Sequence, residues 1–239
     1  AVGNGAADPA AVLTGSSGLV AVALAGVDEV AVRRGGYSVR IPVRKRPEAL
    51  AVSGERLFVA NRFDDSISVI DLRRGELVET IPLGPQPELT AAQRGERLFF
   101  DSQLSHDHWL SCHSCHTDGH SSGLLVDTLG DGDYGAPKRV PSLLGTRGTG
   151  PWAWNGEFPA LQAQVRKSVS STMHGDAITD RQAADLVAYL ESLAPPPRIE
   201  GDADAAARGR RIFESRGCVE CHRSAVLTSR QIYDVGLED

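Results

Sequence analysis

Two short motifs contain the residues with the clearest capacity for chemistry. Residues 112–116 read CHSCH and residues 218–222 read CVECH, so both follow the pattern C-x-x-C-H. In this pattern two thiols form thioether bonds to the vinyl groups of one haem, and the adjacent histidine, His116 or His222, ligates the iron. The chain has 4 cysteines, and the two motifs use all of them. The sequence therefore predicts two covalently bound c-type haems, anchored by Cys112, Cys115, Cys218 and Cys221.

Two other chemistries use paired cysteines. Two C-x-x-C pairs can hold a structural zinc ion, but such pairs usually lie within a few dozen residues, and here a domain's length of chain separates them. A single C-x-x-C pair is also typical of a thioredoxin-like redox motif. Neither chemistry explains why a histidine follows the second cysteine of both pairs. Haem attachment is therefore the favoured interpretation.

Length and composition narrow the class of protein. A chain of 239 residues has room for two or three compact units, and 41% hydrophobic with 23% charged residues is ordinary for a globular protein. A net charge of -6 without a basic stripe argues against a nucleic-acid partner, and no apolar run predicts a transmembrane segment. The chain begins with Ala1 and has no signal peptide, and only residues 223–239 follow the second motif. We therefore expect a fragment whose second haem domain is cut short.

The first part of the chain has a repeat. Residues 16–90 alternate short β-type runs with turns, and the apolar pattern returns after about 37 to 40 residues, the period of a propeller blade. Residues 57–71, LFVANRFDDSISVID, resemble the YVTN-type propeller repeat. Because a closed propeller needs at least four blades, residues 1–88 are predicted to form a partial β-propeller of about two blades. This region is expected to be a non-catalytic scaffold or recognition surface.

Helical signals follow the repeat. Thr90 with Gln93, and Thr179 with Gln182, have the capping-box spacing that starts a helix. Residues 94–99, RGERLF, match residues 208–213, RGRRIF, which predicts duplicated haem modules. The predicted fold class is thus multidomain: the partial propeller followed by all-α cytochrome c-type haem domains. The predicted boundaries are residues 89–197 for the first haem domain and residues 198–239 for the start of the second.

The distal side of the first haem has two candidate residues. Met173 is the single methionine of the chain and lies between the first motif and the last helix of that domain. Methionine is a common axial ligand of c-type haems, so Met173 is the predicted distal ligand or pocket residue, although a core role is the ordinary alternative. His174 is the second candidate ligand and the only, weak, catalytic candidate.

Other polar and aromatic residues have two interpretations each. Trp152 and Trp154 either pack on a porphyrin or are structural. Calcium is a second candidate cofactor, because Asp127, Asp131 and Asp133 are spaced loosely like an oxygen-ligand loop. An Asp-Gly turn explains Asp131 and Asp133 more simply.

From about residue 91 onward the chain resembles the bacterial di-haem cytochrome c peroxidase family. The matching segments are residues 95–101 (GERLFFD), 104–105, 111–116, 139–143 (RVPSL) and 154–156 (WNG). Joined to the YVTN-type repeats, they resemble a propeller–peroxidase fusion subgroup. The resemblance implies all-α haem domains that face each other, often with bound calcium. It also implies that one haem accepts electrons from a donor and the other cleaves peroxide to water.

The chain departs from that family at three places. Residues 129–138 contain no histidine for a displaceable ligand, residues 117–126 contain no tryptophan, and Thr172 stands where a glutamate is expected. His174 is the only local substitute for an acid–base group. The predicted protein is a periplasmic or otherwise extracytoplasmic oxidoreductase that reduces hydrogen peroxide, or performs a related oxidation, with a small redox protein or electron carrier as donor. The alternative is a non-enzymatic electron-transfer di-haem cytochrome tethered to a propeller binding module.

Overall fold

The computed structural model describes residues 5–128, 132–197 and 199–233. The first sheet contains β1 (Pro9–Thr14), β2 (Val20–Leu24), β3 (Glu29–Arg34) and β4 (Tyr37–Pro42), in that order and all antiparallel. The second contains β5 (Pro47–Ser53), β6 (Arg56–Asn61), β7 (Ser66–Asp71) and β8 (Glu76–Pro82), also in chain order and antiparallel. A short pair, β9 (Leu125–Val126) with β10 (Lys138–Arg139), lies further along. The helices are α1 (Ala91–Phe99), α2 (Cys112–Cys115), α3 (Leu161–Lys167), α4 (Asp180–Ser192) and α5 (Ala203–Ser215).

The two four-stranded sheets share one apolar core. Small and β-branched side chains alternate along their strands, which suits a pleated surface with one buried face. The buried residues come from both sheets: Leu19, Ala21, Val30, Val32, Ile41, Leu57, Val59, Ile70 and Leu72. Each sheet has the same turn between its second and third strands, where Asp28 (φ 59°) and Asp65 (φ 42°) adopt the left-handed conformation. Aspartate tolerates this conformation better than most residues, which explains its place in both turns.

The expected fold class, a partial propeller followed by all-α haem domains, is wrong. Among the described residues the sheets number two with four strands each and one with two strands, and no closed propeller is seen. Residues 89–197, predicted as the first haem domain, are not all-α, because β9 pairs with β10 and Trp152 forms an isolated antiparallel β-bridge with Phe158. The physical reason is composition: residues 119–160 are rich in glycine and proline, which do not sustain helices.

Local sequence signals for the helices are confirmed. The backbone N–H of Gln93 donates to Thr90 Oγ1 at 3.3 Å, and the backbone N–H of Thr90 donates to Gln93 Oε1 at 2.9 Å. α1 therefore begins with a capping box. Thr179 and Gln182 make the same pair of bonds at the start of α4, at 3.2 and 2.9 Å. In the described part of the chain no helix is long and apolar enough to span a membrane.

α1 and α4 cross closely at Gly95. A Cβ atom built on Gly95 would lie 1.9 Å from the Asp185 carbonyl oxygen, so only glycine permits this approach. Beside the crossing, Arg94 donates two hydrogen bonds to the Asp185 carboxylate, at 2.9 and 2.7 Å. The Phe99 and Tyr189 rings pack 5.1 Å apart on the same side. This crossing holds the helical core, which contains Phe99, Phe100, Leu161, Val165, Val169, Met173, Ile178, Ala183, Leu186 and Leu190.

The repeated segment 208–213 falls on α5, as segment 94–99 falls on α1. The surroundings differ, because α5 has no buried residue, whereas α1 buries Gly95 and Phe99. A Cβ atom built on Gly209 would meet nothing within 4 Å. The two copies are thus alike in local structure and different in packing.

Candidate haem-binding site

The first C-x-x-C-H motif folds as one helical turn. α2 spans Cys112–Cys115, and the His116 N–H donates to the Cys112 carbonyl at 2.9 Å, which closes the turn. Residues 112, 115 and 116 have the i, i+3 and i+4 spacing that places side chains on the same face of a helical turn. All four cysteines of the chain are free of disulfides. The geometry therefore presents two thiols and one histidine to a single group.

His116 is held by its Nδ1 atom. The Nδ1–H group donates to the Pro141 carbonyl at 3.0 Å, which leaves Nε2 as the atom for metal ligation. Burial lowers the pKa of His116, and the carbonyls of Pro141 and His120 oppose that shift. Since a metal ligand must be the neutral imidazole, the lowered pKa favours the ligating form at neutral pH.

The second motif has the same arrangement. Cys218–Glu220 form a single turn, and the His222 N–H donates to the Cys218 carbonyl at 2.9 Å. His222 Nδ1–H donates to the Leu227 carbonyl at 3.0 Å, so Nε2 is again left for a ligand. The second imidazole is exposed, whereas the first is half-buried. The two motifs thus share ligand geometry and differ in burial.

The thiols of the first motif are protected by their surroundings. Burial raises the pKa of Cys112 to about 12, and burial also raises the pKa of Cys115. Cys112 packs against the helical core. Thiols with raised pKa values form little thiolate at neutral pH and oxidise slowly.

Four buried polar side-chain atoms of the described residues lack a hydrogen-bond partner: Arg46 Nη1, Asn61 Oδ1, Trp152 Nε1 and Gln164 Oε1. Two of them, the donor Trp152 Nε1 and the acceptor Gln164 Oε1, lie between the first motif and Met173 in the chain. Trp152 packs against the helical core, and Gln164 lies on α3 next to the core residue Val165. Buried polar atoms are nearly always paired, so these two fit a site that receives a polar group from outside the polypeptide. The two motifs supply the thiols and imidazoles that c-type haem requires, and these two atoms are further candidate contacts for such a group.

The two distal candidates lie in opposite environments. Met173 is 3% exposed and belongs to the same core that Cys112 contacts. It directly follows a π-helical turn, Ser168–Thr172, a form often found at functional sites. His174 is exposed and has a left-handed backbone, with φ 51°. Met173 therefore stays the predicted distal residue, and His174 has no buried site around it.

The remaining candidates are spread over the surface. Trp154 is 59% exposed. Asp127 Oδ2 accepts from the Gly135 N–H at 2.9 Å and Asp133 Oδ1 from the Tyr134 N–H at 2.7 Å, which are turn contacts. Asp131 lies outside the described residues. Among the residues that the structure describes, no cluster of three or more histidine, cysteine, aspartate or glutamate side chains could hold a metal ion. Calcium stays a prediction.

Sequence reasoning missed one group at the first motif. The carboxylate of Asp8 accepts hydrogen bonds from the hydroxyls of Ser111 and Ser114, which precede the two cysteines. Asp8 is 103 residues from Ser111, and no motif or spacing points to it. Only the packing of the sheets on the haem region reveals this contact.

Comparison with known proteins shows what this chain is similar to. Residues 90–196 match the family model described as di-haem cytochrome c peroxidase. The chain is 28% identical over 208 residues to the methylamine utilization protein MauG of Methylorubrum extorquens, which covers 70% of this chain and 58% of that protein. It is 25% identical over 183 residues to the cytochrome c551 peroxidase of Pseudomonas aeruginosa, which covers 60% of this chain and 53% of that protein. It thus spans a little over half the length of these relatives.

A solved structure shows a related fold. Hydrazine synthase of Kuenenia stuttgartiensis superposes with a TM-score of 0.50 at 23% identity over 64% of each chain, a likeness of fold alone. The similarity to the di-haem cytochrome c peroxidase family thus concerns residues 90–196, somewhat less than half of the chain.

Proposed function

We propose that this protein is an extracytoplasmic di-haem c-type oxidoreductase that reduces hydrogen peroxide, with electrons passed between two covalently bound haems. The observation that carries the proposal is the shared geometry of the two motifs, each a single turn with a histidine whose Nδ1–H is held by a carbonyl. Bound haem would supply the redox-active iron for this reaction. Covalent attachment of haem supports a location outside the cytoplasm, and a small redox protein or electron carrier is the proposed electron donor.

The side chains of the first haem domain have distinct proposed roles. Cys112 and Cys115 anchor the haem, and His116 ligates the iron through Nε2. Trp152 Nε1 donates to a polar group of the haem or of its ligand. Gln164 Oε1, which is buried and has no partner among the described residues, would accept from an O–H group of peroxide. Met173, in the core against which Cys112 and Trp152 pack, would be an apolar pocket residue.

Gln164 gives a direct test of peroxide binding. In Gln164→Leu the unpartnered acceptor is lost while the size of the side chain is nearly kept, so the rate of reaction with peroxide should fall about 100-fold. The rate is measured by stopped-flow absorption of the haem bands after mixing with hydrogen peroxide. Gln162→Leu, the same change on the same helix, is the control and should keep the original rate. Equal rates in both variants would remove Gln164 from the site.

The alternative function is electron transfer without catalysis. It is favoured by one observation: Met173 is the single methionine, is 3% exposed, and lies in the core that Cys112 contacts. If Met173 ligated the first iron permanently, that haem would have no open position for peroxide. A low-spin first haem whose optical spectrum does not change with peroxide would support this alternative and contradict peroxide reduction at that site.

Met173→Leu separates the two functions. Leucine fills nearly the same volume, so the substitution should cost less than about 1.5 kcal/mol of stability. For an open first haem we expect an unchanged spin state, recorded by absorption and electron paramagnetic resonance spectra. Conversion to a high-spin spectrum would identify Met173 as the axial ligand and favour the electron-transfer function. Met173→Ala is less informative, because the cavity would cost about 2 to 5 kcal/mol and disturb the fold.

A further inference from the structure

A carboxylate from the sheet region reaches the first haem motif. Asp8 immediately precedes β1, and its Oδ1 atom accepts a hydrogen bond from Ser114 Oγ at 2.6 Å. Its other carboxylate oxygen, Oδ2, accepts from Ser111 Oγ. Ser111 directly precedes Cys112, and Ser114 directly precedes Cys115. One carboxylate therefore accepts from the serine before each of the two cysteines, that is, from the N-cap residue and the third residue of α2.

The backbone of Asp8 is fixed from the opposite side. Its φ of 51° is left-handed, a conformation that persists in a non-glycine residue only where the surroundings determine it. The Asp8 carbonyl accepts from the Ala25 N–H at 3.1 Å, and the Ala7 carbonyl accepts from the Gly26 N–H at 3.2 Å. A Cβ atom on Gly26 would lie 3.0 Å from the Ala7 oxygen, which is tighter than ordinary contact. The turn after β2 thus holds Asp8 against the motif.

Asp8 changes the charge balance at the motif. Its negative charge adds to the effect of burial in raising the pKa of both Cys112 and Cys115. At His113, inside the motif, it acts against burial and against the nearby Arg46, which both lower the pKa of that histidine. Asp8 is therefore close enough to act electrostatically on three residues of the haem-attachment turn.

We propose that Asp8 is a positioning residue that orients the first haem-attachment turn and lowers the reduction potential of the haem bound there. The proposal rests on the proposed function only in requiring haem at the first motif. A ferric haem carries one more positive charge than a ferrous haem, so a nearby carboxylate stabilises the oxidised form. The sheet region is then more than a scaffold, because it supplies one charged group to the redox site.

Potentiometry of the full chain with bound haem tests this inference. In Asp8→Asn the midpoint potential of the first haem should shift to a more positive value while that of the second haem stays constant. Asp8→Glu keeps the charge and should restore a potential near the original one. Asp65→Asn, the same change at an exposed left-handed turn residue, is the matched control and should move neither potential.

A second variant keeps the Asp8 carboxylate and tests the positioning role separately from the charge. In Ser111→Ala with Ser114→Ala the carboxylate remains but both of its hydrogen bonds to the turn are lost. Amide hydrogen exchange of residues 111–116 should then become faster, as it should in Asp8→Asn. An unchanged first potential in folded Asp8→Asn would overturn the electrostatic role, and unchanged exchange in the serine variant would overturn the positioning role. If the original protein retains no haem on the first motif after denaturation, the proposed function itself fails instead.

Discussion

Replacing Cys112 and Cys115 with serine is expected to reduce the number of covalently bound haems from two to one. A serine hydroxyl does not form the thioether bond to a haem vinyl group, and the second motif keeps its own thiols. His116 and its bond to Pro141 would remain, so any haem still bound at the first motif would be held without a covalent link and lost on denaturation. Mass spectrometry of the denatured protein, produced in a host that attaches c-type haem, measures the result.

The reciprocal variant is the control for this experiment. Cys218→Ser with Cys221→Ser should also leave one haem, but on the first motif, and digestion with mass mapping identifies which peptide carries it. All four substitutions together should leave none. Two haem masses in the first variant would contradict the assignment of Cys112 and Cys115. A wild-type protein that retains no haem but contains zinc would establish the structural-zinc interpretation instead.

Gly95→Ala is expected to lower the free energy of unfolding by about 3 kcal/mol, since overpacking a closely packed crossing forces the backbone to move. The added methyl group would lie 1.9 Å from the Asp185 carbonyl oxygen and 2.8 Å from the Tyr189 Cβ, so α1 and α4 must separate. Separation would also weaken the two hydrogen bonds from Arg94 to the Asp185 carboxylate. Urea unfolding followed by circular dichroism measures the change.

The internal repeat provides a matched control. Gly209 has the same place in segment 208–213 that Gly95 has in segment 94–99, but a Cβ atom there meets nothing within 4 Å. Gly209→Ala should therefore be neutral or stabilise the protein by at most about 1 kcal/mol, the difference in helix propensity between the two residues. Similar losses of stability in both variants would show that the crossing of α1 with α4 does not explain the effect.

Local features were predicted well. The capping boxes at Thr90 and Thr179 are confirmed because each depends on residues three positions apart, which sequence displays directly. The helical similarity of segments 94–99 and 208–213 also appears in the structure, for the same reason. The predicted fold class was wrong because the pairing of strands depends on contacts between distant parts of the chain. This holds for the two four-stranded sheets and for the β9–β10 pair in the glycine-rich segment after the first motif.

The sequence by itself predicts the chemistry of haem attachment, because the two thiols and the histidine of each motif lie within one turn and their spacing is visible in the chain. The tertiary structure decided what surrounds that turn. It brings the Pro141 carbonyl to His116 across 25 residues and the Asp8 carboxylate to Ser111 across 103 residues. It also places Met173 in the core and His174 at the surface. These contacts join distant segments with no periodicity, so they exist only once the sheets and helices pack together.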